Sequence, residues 1–137
     1  AAAVSIALLS GCRSEPYDFE AAIERGDVVD LHGNVHNADR LEQFYRHVLS
    51  KSKDKVRITR FTVEGDPIFH DLTFDGKTIR YRYDNSQDRH GRAKVASVAC
   101  ESIAASGGDD DTAYRLTGCS GQNERMGREF VFRVIHN

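Results

Sequence analysis

Several things are missing from this 137-residue chain. No apolar run approaches the roughly 20 residues that a membrane-crossing helix needs. There is no basic excess: 19 lysines and arginines stand against 21 aspartates and glutamates, for a net charge of −2. A dedicated nucleic-acid binder usually shows the opposite balance, so no nucleic-acid partner is expected. Tryptophan is absent, and cysteine occurs three times. No Gly-rich phosphate loop, nucleophile elbow or Ser-His-Asp arrangement can be assembled, so the sequence names no catalytic residue and no cofactor. There is no internal repeat and no low-complexity linker.

What is present begins with an unusual N-terminus. Residues 1–11, AAAVSIALLSG, carry no charge and stop at Cys12. An apolar core followed by small residues matches the tail of a secretory signal peptide, with its charged start expected before residue 1. Leu9-Ser10-Gly11-Cys12 resembles the bacterial lipoprotein box, in which cleavage precedes the cysteine and the thiol takes a diacylglycerol. Each buried methylene of such an anchor adds ~0.8 kcal/mol, so two or three chains hold a domain at a bilayer without a spanning helix. Cys12 is therefore the expected lipidation site, residues 12–15 a tether, and residues 16–137 a single domain facing outside the cytoplasm. Cys100 and Cys119 then remain. An even pair in an exported domain suggests a disulfide, with two reduced core thiols as the alternative.

Along the domain, Pro16–Arg25 reads as a short helix, with Ser14 or Glu15 before it and Gly26 just past its end. Asp27–Val35 reads as an extended edge segment with Gly33 as a kink or turn. Asn37 is expected to cap the main helix, Asn37–Ser50, whose Leu41, Phe44, Tyr45, Val48 and Leu49 form an apolar stripe. Lys51, Lys53 and Lys55 read as solvated charge at its end rather than a lipid-headgroup patch.

From Val56 to Gly91 the pattern is strand, turn, strand, tight turn, strand, polar loop. The apolar phase breaks at Arg60, which predicts a bulge near Thr59 or Arg60. A two-residue turn at Asp75-Gly76 is expected, because Asp-Gly between alternating runs suits a type I′ hairpin. That register sets Phe74 opposite Lys77, Leu72 opposite Ile79, His70 opposite Tyr81 and Ile68 opposite Tyr83. On the other face it sets Asp71 opposite Arg80 and Phe69 opposite Arg82, an ion pair and a cation–π contact. Ala93–Ala105 fits either a helical face or a strand, and strand is the reading adopted. In a hairpin with Ala113–Cys119, setting Cys100 opposite Cys119 also sets Ile103 opposite Leu116. Glu129–His136 reads as a last strand inside the sheet. The sum is an α+β single domain: a mostly antiparallel sheet of about five to seven strands, one main amphipathic helix on one face, and a short N-terminal helix.

Candidate site residues are few. Asp84, Ser86, Asp88 and His90 alternate like calcium ligands, but Arg89 and Val95 occupy the positions that need Gly and Glu. Asp109-Asp110-Asp111 reads as a solvated loop tip. His32 and His36 are four apart, but Gly33 and Asn34 argue against the helix that zinc geometry needs, so no metal site is named. His70 reads as a hydrogen-bonded core or rim histidine rather than a general base. Asp66, His70, Asp84, Asn85 and Asp88 are the candidate binding residues.

An ordered string of motifs resembles a known family. It comprises Gly26-Asp27-Val28-Val29, His32-Gly33 with Asn37, Leu41 and Phe44, and Val56-Arg57-Ile58. It continues through Glu64-Gly65-Asp66-Pro67-Ile68, Asp71-Leu72, Phe74-Asp75-Gly76-Lys77, and Asp84-Asn85-Ser86 with Asp88 and Gly91. It ends with Cys100 and Tyr114-Arg115-Leu116-Thr117-Gly118-Cys119. The likeness is to bacterial lipoproteins with domain of unknown function 4362 (DUF4362), found mainly in Gram-positive spore-formers. It implies an exported, lipid-anchored domain and supplies no catalytic residues. The expected function is a non-enzymatic binding module at the cell envelope, attached to the membrane and meeting an envelope protein or peptide. The alternative is a small envelope hydrolase or metal-dependent enzyme using carboxylates near Asp66, Asp71 and Asp84.

Overall fold

The computed structural model describes residues 17–136, so Cys12 and the segment before it lie outside the described residues. The chain folds as an α+β domain with a six-stranded mixed sheet, a three-stranded sheet and one main helix.

The first helix, α1 (Phe19–Glu24), is shorter than expected. Asp18 caps it, its side chain accepting from the Ala21 N–H at 2.7 Å. β1 (Val28–Leu31) and β2 (Asn34–His36) form a hairpin rather than one extended segment. Its turn residues His32 and Gly33 have φ of +53° and +93°, both positive as a type I′ turn requires. α2 (Ala38–Leu49) buries Leu41, Phe44 and Val48, half-buries Tyr45 and leaves Leu49 59% exposed at the edge of the stripe. Asn37 precedes α2, but its side chain does not cap it. The amide instead donates to the carbonyls of Ile23 (3.0 Å) and Asp27 (2.9 Å), fastening the start of α2 to the end of α1.

β3 (Asp54–Phe61), β4 (Pro67–Phe74), β5 (Ile79–Asp84) and β6 (Val95–Cys100) complete the main sheet in the order β2-β1-β3-β4-β5-β6, with β1 and β3 parallel. The expected bulge is absent: β3 and β4 pair without interruption from Asp54↔Phe74 to Phe61↔Pro67. Arg60 therefore shares a face with Val56 and Ile58, while Thr59 is fully buried on the other face. There the Tyr17 hydroxyl lies 2.8 Å from Thr59 and donates to Asp27 at 2.6 Å. The Tyr17 ring meets Phe69 edge-on at 4.8 Å.

The hairpin expected at Asp75-Gly76 exists, but its connection is Asp75–Thr78. The Asp75 carboxylate accepts the N–H groups of Lys77 (2.8 Å) and Thr78 (2.7 Å), closing a wider turn than two residues allow. The register is offset by two residues from the expected one: Phe74↔Ile79, Leu72↔Tyr81 and His70↔Tyr83. Every side chain keeps its face and changes its partner. Asp71 takes Arg57 rather than Arg80, with bonds of 2.8 and 3.0 Å, and Arg57 rather than Arg82 lies over Phe69, at 4.3 Å.

The single strand expected over Ala93–Ala105 is two. After β6 the chain turns at Glu101 into β7 (Ser102–Gly107), which pairs with β8 (Asp111–Thr117) in the second sheet. The expected register holds there, Ile103 facing Leu116, and Cys100 and Cys119 are disulfide-bonded. A further helix, α3 (Glu124–Glu129), had no counterpart in the sequence reading. β9 (Val131–Ile135) forms an edge of the order β7-β8-β9, not an interior strand. The described residues thus hold nine strands: the six of the main sheet match the expected five to seven, and the separate sheet of three is an addition to it. The core lies between the inner face of the main sheet, α2 and the second sheet, around Phe44, Ile58, Phe74, Ile79 and Phe132. Among the described residues no helix is long and apolar enough to cross a membrane.

Candidate functional site

A cleft of about 380 Å³ lies between the main sheet and the segment running through α3 to the start of β9. β3 contributes Arg60, β4 His70, and β5 Tyr81 and Tyr83. Lys94 leads into β6, and the α3–β9 segment supplies Arg125, Met126, Glu129 and Phe130. Arg60 reaches it because the uninterrupted β3 register turns that side chain inward. Its Nη2 donates to the Val131 carbonyl at 2.9 Å, and its guanidinium lies over Phe132 at 5.1 Å. The buried Nε has no hydrogen-bond partner, and Asp30 stands 3.7 Å away.

His70 forms the floor, 8% exposed, with Nδ1 2.7 Å from the Tyr81 hydroxyl. Tyr83 meets its ring edge-on at 5.4 Å, and Phe130 meets Tyr81 at 5.0 Å. Burial drives the His70 pKa down to about 4; the Arg60 charge adds to this and Asp71 opposes it. Burial likewise pushes the Tyr81 phenol up, against the pull of Arg60. The pair is therefore neutral near pH 7: a hydrogen-bonding floor rather than a proton-transfer couple. At the rim, the Lys94 ammonium sits 6.0 Å from the Tyr83 ring centre, and Arg125 pairs with Glu129 at 2.8 Å. Arg60, Lys94 and Arg125 against Glu129 leave the lining two charges positive, in a chain whose net charge is −2.

A second groove, about 460 Å³, is lined by Arg25, Arg40, Lys55 and Arg57 with Asp27 and Asp71. Its arginines are engaged by carboxylates: Arg25 with Asp27 (3.6 Å), Arg40 with Asp54 (2.6 Å) and Arg57 with Asp71 (2.8 Å). Burial alone would raise the Asp54 pKa, but bonds from Arg40, His47 and the Lys55 N–H hold it below the ordinary carboxylate range.

Four of the five sequence-derived candidates meet at the polar loop between β5 and β6. Asp66, 5% exposed, accepts from the Arg89 N–H (3.1 Å) and Nε (3.2 Å). Asp84 accepts from the N–H and hydroxyl of Ser86 and from Arg82. Asp88 accepts from the His90 N–H at 3.0 Å. Buried Asn85 donates to the Arg92 carbonyl and accepts from the Lys94 N–H, while its own N–H donates to the Lys94 carbonyl. This loop is thus closed on itself and serves the cleft by fixing Lys94 at the rim. His70 is separate from the other four and lines the cleft. Among the described residues, no three His, Cys, Asp or Glu side chains converge as a metal would need.

Sequence reasoning missed Arg60 although its signal, the phase break, was visible. Lys94 and Phe130 gave none. The α3 contribution had one: Asn123 followed by Glu124–Arg128 and Arg125–Glu129 pairs at helical spacing.

A family model described as a domain of unknown function (DUF4362) matches residues 25–115. That span contains the Arg60, His70, Tyr81, Tyr83 and Lys94 wall of the cleft and stops before α3 and β9. No curated protein and no solved structure matches the chain.

Proposed function

This chain belongs to the DUF4362 family, and from that premise we propose that it is a non-enzymatic binding domain, held on the outer face of the cell membrane by a lipid on Cys12. Support for the anchor comes from the Leu9–Cys12 box and the polar residues that follow it. The Cys100–Cys119 bond suits an exported domain.

One observation favours binding over catalysis. Asp66, Asp71 and Asp84, the carboxylates nearest to an acid–base set, are each engaged by an arginine, while the open cleft offers cations, aromatic walls and a neutral histidine. General acid–base chemistry needs a titratable group poised near the working pH within reach of one reactant. The alternative of a small envelope hydrolase or metal-dependent enzyme at those carboxylates has correspondingly less support. An envelope protein, peptide or smaller envelope component is the proposed partner class.

Fractionation of cells expressing the protein tests the anchor. Cys12→Ala should move the protein out of the membrane fraction; unchanged retention at normal abundance refutes lipid anchoring. Asp84→Ala and Asp88→Ala, which disturb only the loop, should lower stability while leaving partner capture intact.

A further inference from the structure

The cleft sets cations beside aromatic walls. Carboxylates outnumber cations in the chain as a whole, yet the lining holds three cations against one carboxylate. Arg125 pairs with Glu129 and Arg60 lies 3.7 Å from Asp30, so Lys94 is the cation that no carboxylate among the described residues engages. In the second groove the arginines likewise pair with carboxylates and Lys55 is the remaining cation, but no aromatic side chain lines it. The Arg60 Nε is buried without a hydrogen-bond partner, and Lys94 rests on an aromatic face rather than on a carboxylate. Positive charge beside low-dielectric walls attracts anions more strongly than the same charge in open solvent.

The walls say what the rest of the ligand is. Tyr83 and Phe130 present ring surface and Met126 a thioether, a combination suited to a flat, weakly polar body. The floor of His70 and Tyr81 is already hydrogen-bonded to itself, so it contributes shape more than polar recognition. At about 380 Å³ the cleft is near the lower end of the ~300–1,000 Å³ typical of small-molecule sites, which suits one ring and its substituent rather than a polymer.

We propose that the cleft between the main sheet and the α3–β9 segment binds a small organic anion, a single ring bearing a carboxylate or phosphate, its charge met by Lys94 with Arg60 and Arg125 beside it and its ring by Tyr83 and Phe130. The proposal rests on the reading of this chain as a binding domain and does not depend on the lipid anchor.

The test is an amide-resolved NMR titration of the full chain carrying Cys12→Ser, so that anchoring plays no part. Four probes are compared: phenyl phosphate and benzoate (ring plus anion), inorganic phosphate (anion alone) and benzylamine (ring plus cation). Phenyl phosphate or benzoate should shift Tyr83, Lys94, Arg125 and Phe130 saturably, and which of the two is tighter identifies the head group. Inorganic phosphate should bind at least about tenfold more weakly, and benzylamine should not compete. Lys94→Gln should weaken the better ring anion by roughly three- to tenfold with an unchanged melting temperature. Benzylamine binding as well as the anions, shifts confined to the Arg57 groove, no saturable shift with either ring anion, or an unaltered affinity in Lys94→Gln would each overturn the proposal. Such a failure removes this ligand class, while the Cys12→Ala fractionation reports separately on the anchored binding domain.

Discussion

His70 and Tyr81 share a 2.7 Å hydrogen bond diagonally across neighbouring strands, because Tyr83 is the residue directly opposite His70. Both side chains are buried, and burial holds the His70 pKa near 4. In the unfolded chain the same imidazole takes up its proton near pH 6.5. Between these values the unfolded state binds more protons than the native state. The contribution from keeping His70 neutral is therefore complete above about pH 6.5 and is lost as the pH falls toward 4, by on the order of 3 kcal/mol. Asp54 and Asp84, held below their ordinary values, add their own losses only at lower pH. Urea unfolding from pH 7.5 to 4.5 should show this slope, and His70→Gln, itself less stable, should flatten it. An equal slope in the variant would remove His70 as the cause.

Gly127 should resist the substitution that helix propensity favours. Alanine in a helix interior gains about 1 kcal/mol over glycine. Here, however, a Cβ would lie 2.6 Å from the Cys119 Sγ and 3.0 Å from the Cys100 Sγ. The disulfide keeps those sulfurs from moving aside, so overpacking costs ~1–3 kcal/mol and Gly127→Ala should lower the melting temperature. Reduction frees the sulfurs, so the difference between variant and parent should shrink in reductant. A stabilised Gly127→Ala in the oxidised protein would show that α3 does not pack on the disulfide as described.

Double-mutant cycles should distinguish the two possible partners of Asp71. The bond to Arg57 is bidentate, with the guanidinium also over Phe69. A coupling of ~0.5–1 kcal/mol is expected for Arg57 with Asp71, since the pair is partly exposed. Arg80 faces Thr73, so its coupling to Asp71 should be indistinguishable from zero. The reverse result would restore the tighter two-residue turn.

Asn85→Ala should cost ~1–3 kcal/mol by leaving the Arg92 carbonyl and Lys94 N–H without their partner. Hydrogen exchange should then rise over residues 85–94 and spare β3 and β4. Asp66→Asn should loosen the same segment through Arg89. Exchange rising uniformly through the main sheet would mean that the loop is not a separate unit.

Much of the fold was legible because it is local. The α2 stripe, the strands of the central hairpin and the face on which each of their side chains lies follow from periods of 3.6 and 2. His70, Tyr81 and Tyr83 were expected on one face, and that is why they meet at the cleft. The Ile103↔Leu116 register was legible too, because the two cysteines constrained it. Arg60 was legible as an anomaly but not as an answer: a polar residue on a core-facing position and a bulge give the same break in phase. Its partners, Val131 and Phe132, are about seventy residues away in sequence, with Arg60 and Val131 separated by 71.

For β4 and β5 the amino-acid sequence by itself determined which residues form the strands and which side of the strand each occupies, because backbone geometry alternates side chains whatever the neighbour. It did not determine the offset between β4 and β5, since a slide of two residues preserves every face. The bonds from Asp75 to Lys77 and Thr78, and the pairing of β3 with β4 and of β5 with β6, decided that. Nor did it determine that the chain leaves one sheet for another at Glu101, or that α3 comes to rest beside His70. Those outcomes depend on packing between segments far apart in the chain, and the cationic cleft exists only because that packing brings its two walls together.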